Sequence, residues 1–162
     1  MIVIADASAL VALAICDSLN VLELLFSKVK VSQAVFEEVT ISGKPGAEEL
    51  RRYLQNKVEK VNLNDFVIAG SSLGNGELTS IALYKHLKAD YLLIDEKAGR
   101  RVARLNNIKV IGSLGVLIEA KRKGIIKFIK PHIDTLMASK IHFSALLLEH
   151  ALKIANEIES EK

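Results

Sequence analysis

Asp6 ends the apolar run "IVIA", and Asp95, with Glu96 beside it, ends the run "YLLI". Glu77 opens a helical segment directly after the glycine-rich stretch "GSSLGNG", and Glu38 lies in "QAVFEEV", after the short strand-like run "KVKVS". In open parallel sheets, ligand sites form outside the carboxyl ends of the strands, so an acid that follows a buried strand stands where ligands bind. If the strands ending at Asp6 and Asp95 are neighbours, Asp6, Glu38, Glu77 and Asp95 converge on one pocket. Carboxylates gathered in this way repel one another unless a divalent cation neutralises them, and an all-oxygen donor set selects Mg²⁺ or Mn²⁺.

Each acid also has a plain structural use. Asp6 or Ser8 suits the N-cap of the helix after the first strand, and Asp95 that of the helix after its own, each cap stabilising by about 1 kcal/mol. The macrodipole favours Glu77 and Glu96 in the first turn of a helix, and Glu37 and Glu38 fit an exposed helix face. Only the set points to a metal site.

Other chemistries find no support. The chain has no GxxxxGK[ST] phosphate loop, GxGxxG, HExxH or CxxC,. His86, His132, His142 and His150 lack metal-ligand spacing, and the single cysteine, Cys16, sits in an apolar segment where a small buried side chain is expected,. The formal charge is +3, a mild excess. Its distribution says more: Lys97, Arg100, Arg101 and Arg104 follow the paired acids closely, and Lys121, Arg122, Lys123, Lys127 and Lys130 form a second cluster. Such runs are usually solvated helix faces, but beside a metal pocket they are also placed to hold phosphates.

The elements that must position these residues follow from composition and periodicity. With 162 residues, half of them hydrophobic, no Trp and few other aromatics, the chain suits strands buried on both faces and helices packed over them,. A single α/β domain over residues 1–162 is expected. Strands are predicted at "IVIAD", "KVKVS", "YLLID" and "KVIG", with a weaker one at "VEKVNL". Helices are predicted between them, and a patterned helix over 144–160 closes the chain. This β-α succession with short links implies a mainly parallel sheet. One cysteine excludes an intramolecular disulfide, "MIVIAD" lacks a secretory signal, and no apolar run reaches the roughly 20 residues that span a bilayer. A cytoplasmic protein without a membrane segment is the expectation.

The order "IADAS", "EEV", "LGNGELTSIAL" and "ADYLLIDEKAGRRVARLNNIKVIGSLGVLIEAKRKG" resembles the PIN-domain nucleases, most nearly the branch grouped with VapC-type toxins of toxin–antitoxin operons. The resemblance covers roughly residues 2–125. It implies a three-layer α/β/α sandwich around a mainly parallel sheet and a metal-dependent endoribonuclease acting on RNA. Carried over by position, Asp6, Glu38, Glu77 and Asp95 match the four acids that hold Mg²⁺ or Mn²⁺, and Ser8 is the supporting polar residue. Lys97, Arg100 and Arg101 are placed to bind substrate phosphates. The commoner pattern has Thr or Ser two residues before the last Asp, where this chain has Leu93, so either Asp95 takes the Thr-like position with Glu96 as an outer ligand, or Asp95 binds the metal through water and Glu96 faces solvent; Asp95 is the preferred ligand. The branch further implies a homodimer and an antitoxin partner. A catalytically silent PIN-like module binding RNA or protein is the alternative. A phosphatase of the haloacid-dehalogenase kind would need Asp-x-Asp after the first strand, and Ser8 stands where the second Asp belongs.

Overall fold

The first strand, β1 (Ile2–Ala5), divides its side chains between two apolar layers. Val3 and Ala5 are fully buried on one face and Ile4 on the other. A strand without polar residues at either parity has to be covered on both sides. In the computed structural model, which describes residues 1–70 and 72–158, β1 is the central strand of five. It pairs in parallel with β2 (Lys28–Ser32) on one side and β4 (Tyr91–Leu93) on the other. β3 (Val58–Glu59) flanks β2 and β5 (Val110–Ile111) flanks β4, so the order is β3-β2-β1-β4-β5 and every pairing is parallel.

Nine α-helices among the described residues cover the sheet: α1 (Ala7–Ile15), α2 (Leu19–Leu25), α3 (Gln33–Val39), α4 (Ala47–Leu54), α5 (Asn75–Leu87), α6 (Lys97–Leu105), α7 (Ser113–Arg122), α8 (Lys130–Ala138) and α9 (Ala145–Ile154). The larger core sets Leu10 and Leu13 of α1, Leu22 of α2, Leu117 of α7, Ile133 of α8 and Leu148 of α9 against Val3, Ala5, Val29, Val31 and Leu93. On the opposite face Ile81 and Leu83 of α5 and Val102 and Ala103 of α6 pack on Ile4, Leu92 and Ile94. The result is the three-layer α/β/α sandwich. No single helix among the described residues is long and apolar enough to cross a membrane.

Three elements differ from expectation. The run "VEKVNL" supplies only the two-residue edge strand β3, because Val58 and Glu59 alone find partners, on Val31 and Ser32. α8 lies where no helix was predicted; Pro131 in its first turn is compatible with a helix start, and the element is short,. The closing helix ends at Ile154, short of 160, where Asn156 turns left-handed at φ 57° and Glu157 N–H reverts to the Leu152 carbonyl,. Residues 159 and 160 of the expected range lie outside the described residues.

The chain builds β1, β2 and β3 outward in one direction and then crosses to the other side of β1 for β4 and β5. The reversal falls between β1 and β4, the position at which open α/β sheets leave a crevice at the carboxyl ends of their strands. Asp6 and Asp95 follow those two strands.

Candidate active site

The pleat decides which way each acid at the crevice turns. Side chains alternate between the faces, and Ala5 lies in the larger core, so Asp6 turns to the face covered by α5,. Its N–H donates to the Leu93 carbonyl at 2.8 Å, continuing the β1–β4 ladder by one residue. The carboxylate is 2% exposed, makes no capping bond to α1, and accepts the Ser80 hydroxyl of α5 at 3.1 Å. The Asp6 carboxyl is pushed from 3.8 up to about 7. Burial is the main cause and the charge of Glu77 the next, with Glu38 adding to it; the Ala7 N–H and the Ser80 hydroxyl pull the other way,.

Helix α5 supplies the third acid and locks the frame. Glu77 is in its first turn, and Ser80, three residues on, shares the same side of the helix,. The neighbouring Thr79 hydroxyl lies 2.8 Å from that of Ser32, which ends β2 and caps α3 by accepting the Val35 N–H at 3.2 Å. The two adjacent hydroxyls of α5 therefore hold the carboxyl ends of β1 and β2 together. On α3, Glu38 reaches the start of α5, its Oε2 being 3.0 Å from where a Cβ on Gly76 would stand.

The paired acids after β4 part company. Leu93 belongs to the larger core and Ile94 to the α5–α6 face, so the next residue turns back toward α7,. Asp95 Oδ1 accepts the Ser113 N–H and Oδ2 the Ser113 hydroxyl, both at 2.7 Å. Burial raises its pKa, while Ser113 and the Arg100 charge lower it. Asp95 thus caps a helix, though α7 rather than the α6 that follows it in sequence. Gly112 makes room for this: a Cβ there would lie 2.9 Å from Asp95 Oδ1 and 2.8 Å from Arg100 Nη1.

Glu96 turns the other way. Its pKa is raised first by a hydrogen bond to the Glu77 carboxyl, then by burial and by the charges of Glu77 and Glu38. Glu77 and Glu38 thus act on both Asp6 and Glu96, whereas Asp95 is influenced by its Ser113 hydrogen bonds and by the Arg100 charge. Among the described residues no three acidic, histidine or cysteine side chains are drawn together closely enough to hold an ion as they stand. The chemistry of the four fits one nonetheless: they are hard oxygen donors, and the charges of Glu77 and Glu38 push up the pKa of Asp6 and Glu96, an electrostatic excess that a divalent cation relieves,.

The remaining candidates divide. Ser8 is exposed on α1 beside Asp95 and Glu96. Lys97 is exposed at the start of α6. Arg100 is half-buried, with Nη1 donating to the Ile94 carbonyl at 3.1 Å, so part of its guanidinium serves the fold. Arg101 is exposed and is absent from the groove that Lys97, Arg100 and Arg104 line. Sequence reasoning missed the supporting hydroxyls Ser32, Thr79, Ser80 and Ser113. The signal for two of them was present in "ELTSIAL", a polar pair inside an otherwise apolar helix segment.

No curated protein and no solved structure matches the chain. A family model described as PIN domain does, over residues 2–157, which takes in α8 and most of the closing segment as well as the motif-bearing part. PIN domains are generally nucleases and typically use divalent metals. Acids from α3 and α5 and from the ends of β1 and β4 thus surround the switch point of a chain that belongs to the PIN-domain family.

Proposed function

We propose that this protein is a metal-dependent endoribonuclease that hydrolyses RNA phosphodiester bonds with Mg²⁺ or Mn²⁺ held by Asp6, Glu38, Glu77 and Glu96. The observation that carries this reading is that Glu77 and Glu38 raise the pKa of both Asp6 and Glu96 at the β1/β4 crevice, Asp6 to about 7 although a hydroxyl donor supports it. A divalent cation bound there supplies the Lewis acidity for in-line attack of water on a phosphodiester. Asp6, fixed by Ser80 and by the ladder bond to Leu93, keeps one donor oxygen in place without rearrangement. Glu77 and Glu96 would both hold the cation, and because the Glu77 carboxyl raises the pKa of Glu96, metal binding would compete with its protonation and strengthen as pH rises,. Asp95 acts as the clamp that sets the β4–α6 turn, so the fourth ligand in this reading is Glu96.

The finer reading, the toxin of a toxin–antitoxin pair working as a homodimer with an antitoxin partner, rests on the motif run from Leu73 to Gly124. Cleavage of single-stranded and structured RNA is measured with Mg²⁺, Mn²⁺ or EDTA, for the wild type and for Asp6→Asn, Glu77→Gln and Glu96→Gln. Metal-dependent cleavage lost in all three variants supports the site. Binding of RNA without any cleavage or any effect of Mn²⁺ on melting would leave the silent binding module instead.

A further inference from the structure

A groove of about 890 Å³ opens beside the acids, between α6, α7 and the segment that carries α9. Ser8, Asp95 and Glu96 form one end of it, so it is continuous with the carboxylate cluster. The α6 wall is cationic: Lys97, Arg100 and Arg104 line it, and among the described residues none of them is in an ion pair. Arg100 and Arg104, one helical turn apart on α6, both line the groove, and the Arg104 charge adds to burial in lowering the pKa of Arg100,.

The facing wall is mainly apolar, with His142, Ser144 and His150 as its polar members. Phe143 and Leu147 come from the α9 side and Ile118 from α7. α9 already packs on the core through Leu148, Ala151 and Ala155, yet Leu147 stays 47% exposed toward the groove. Its exposure is not needed to hold the helix. Unpaired cations on one side and apolar surface on the other fit a ligand with an anionic backbone along one edge and flat apolar faces along the other. A single nucleic-acid strand has this form, whereas a duplex hides the base faces inside its stack. An acidic amphipathic peptide shares some of the chemistry, but it accounts less well for a groove that runs into a phosphodiester-cleaving site.

Resting on the ribonuclease reading above, we propose that this groove takes the unpaired nucleotide next to the cleaved bond. Its base lies against Phe143, Leu147 and Ile118 and its phosphate on Arg104 and Lys97, which makes α9 the element that sets base preference at the cut.

The test uses the full chain with Glu77→Gln to suppress turnover, and fluorescence anisotropy with a short labelled RNA, single-stranded or annealed to its complement. Leu147→Glu and Arg104→Ala change exposed positions, and circular dichroism checks that both fold. Each is expected to weaken single-strand binding about tenfold, and Arg104→Ala to reduce the salt slope by about 1. The duplex is expected to bind more weakly than the single strand. A single strand carrying 4-thiouridine is expected to crosslink to the peptide bearing Phe143. In the Glu77-intact chain, Leu147→Glu is expected to change which base flanks the cut. Unchanged binding in both variants, with cleavage by the intact chain preserved, would overturn the groove and leave the nuclease standing. Competition for the groove by an acidic peptide but not by RNA would overturn it in favour of a protein partner. No binding or cleavage of RNA by any version would remove the nuclease reading itself.

Discussion

Asp95 grips Ser113 with both carboxylate oxygens, Oδ1 on the backbone N–H and Oδ2 on the hydroxyl, each at 2.7 Å. The pair joins the end of β4 to the start of α7 across 18 residues of sequence, and it occupies both oxygens with protein donors. A carboxylate so used is an anchor, and its neighbour is free for other work.

Removing that anchor and removing that neighbour should therefore have opposite signatures. Asp95→Ala takes away a helix cap and strands a buried hydroxyl, and is expected to lower stability by about 1–3 kcal/mol. Ser113→Ala removes one of the two bonds and costs about 1 kcal/mol. Glu96→Gln should hardly move the urea midpoint, because Glu96 is exposed, but it should abolish the rise in melting temperature caused by Mn²⁺,. Urea titrations with and without Mn²⁺ read both. A stable Asp95→Ala protein that no longer responds to Mn²⁺ would reverse the assignment.

Asp6 gives the protein a pH dependence of defined sign. Its carboxyl titrates near 3.8 when unfolded and at about 7 when folded, raised mainly by burial and next by Glu77. Between those values the folded state binds the extra proton, so the Asp6 contribution is fully present below about pH 4 and is lost as pH rises through about 7. In EDTA, Asp6→Asn should accordingly gain on the wild type as pH rises from 5 to 8, by on the order of a few kcal/mol at the alkaline end. Mn²⁺ at pH 8 should restore the advantage to the wild type alone. Melting curves across that pH range decide it, and a gap that stays constant with pH would mean that Asp6 is ionised throughout.

The sheet and the place of its site were legible because the strands are short apolar runs that stop at acids, and because the helix between them carries Glu77 just after the glycines. The choice between Asp95 and Glu96 was not settled by a motif in which both follow the same strand. The pleat separates the two acids: Ile4 and Ile94 share the α5–α6 face, so Asp6 and Glu96, each two residues further on, turn to that face, while Asp95 follows Leu93 toward α7. Using that argument needs the end of each strand to a single residue, and local propensity does not set it so finely. The Thr79 and Ser80 contacts were harder still, since partners 47 and 74 residues away exist only once the helix is docked. α8 was lost for a different reason: "PHIDTLMA" is short, and its first turn holds a proline that reads equally well as a loop,.

Gly99 sets how closely α6, and with it Glu96, approaches α5. A Cβ at this position would stand 2.5 Å from Ile94 Cδ1 and 3.6 Å from Glu77 Cγ, and Ile94 is fully buried. Gly99→Ala gains about 1 kcal/mol of helix propensity but meets an overpacking cost of about 1–3 kcal/mol, so a net loss is expected. Ile94→Val removes the clashing Cδ1 and by itself costs about 0.5–1.5 kcal/mol. The two changes should therefore compensate, the double variant being more stable than Gly99→Ala alone. Because an outward shift of α6 carries Glu96 away from Glu77, the single variant should also bind Mn²⁺ more weakly and the double variant should recover it. Urea midpoints and Mn²⁺ titrations on the four proteins of this cycle measure both couplings, and strictly additive effects would show that Gly99 and Ile94 do not set the approach of the two helices.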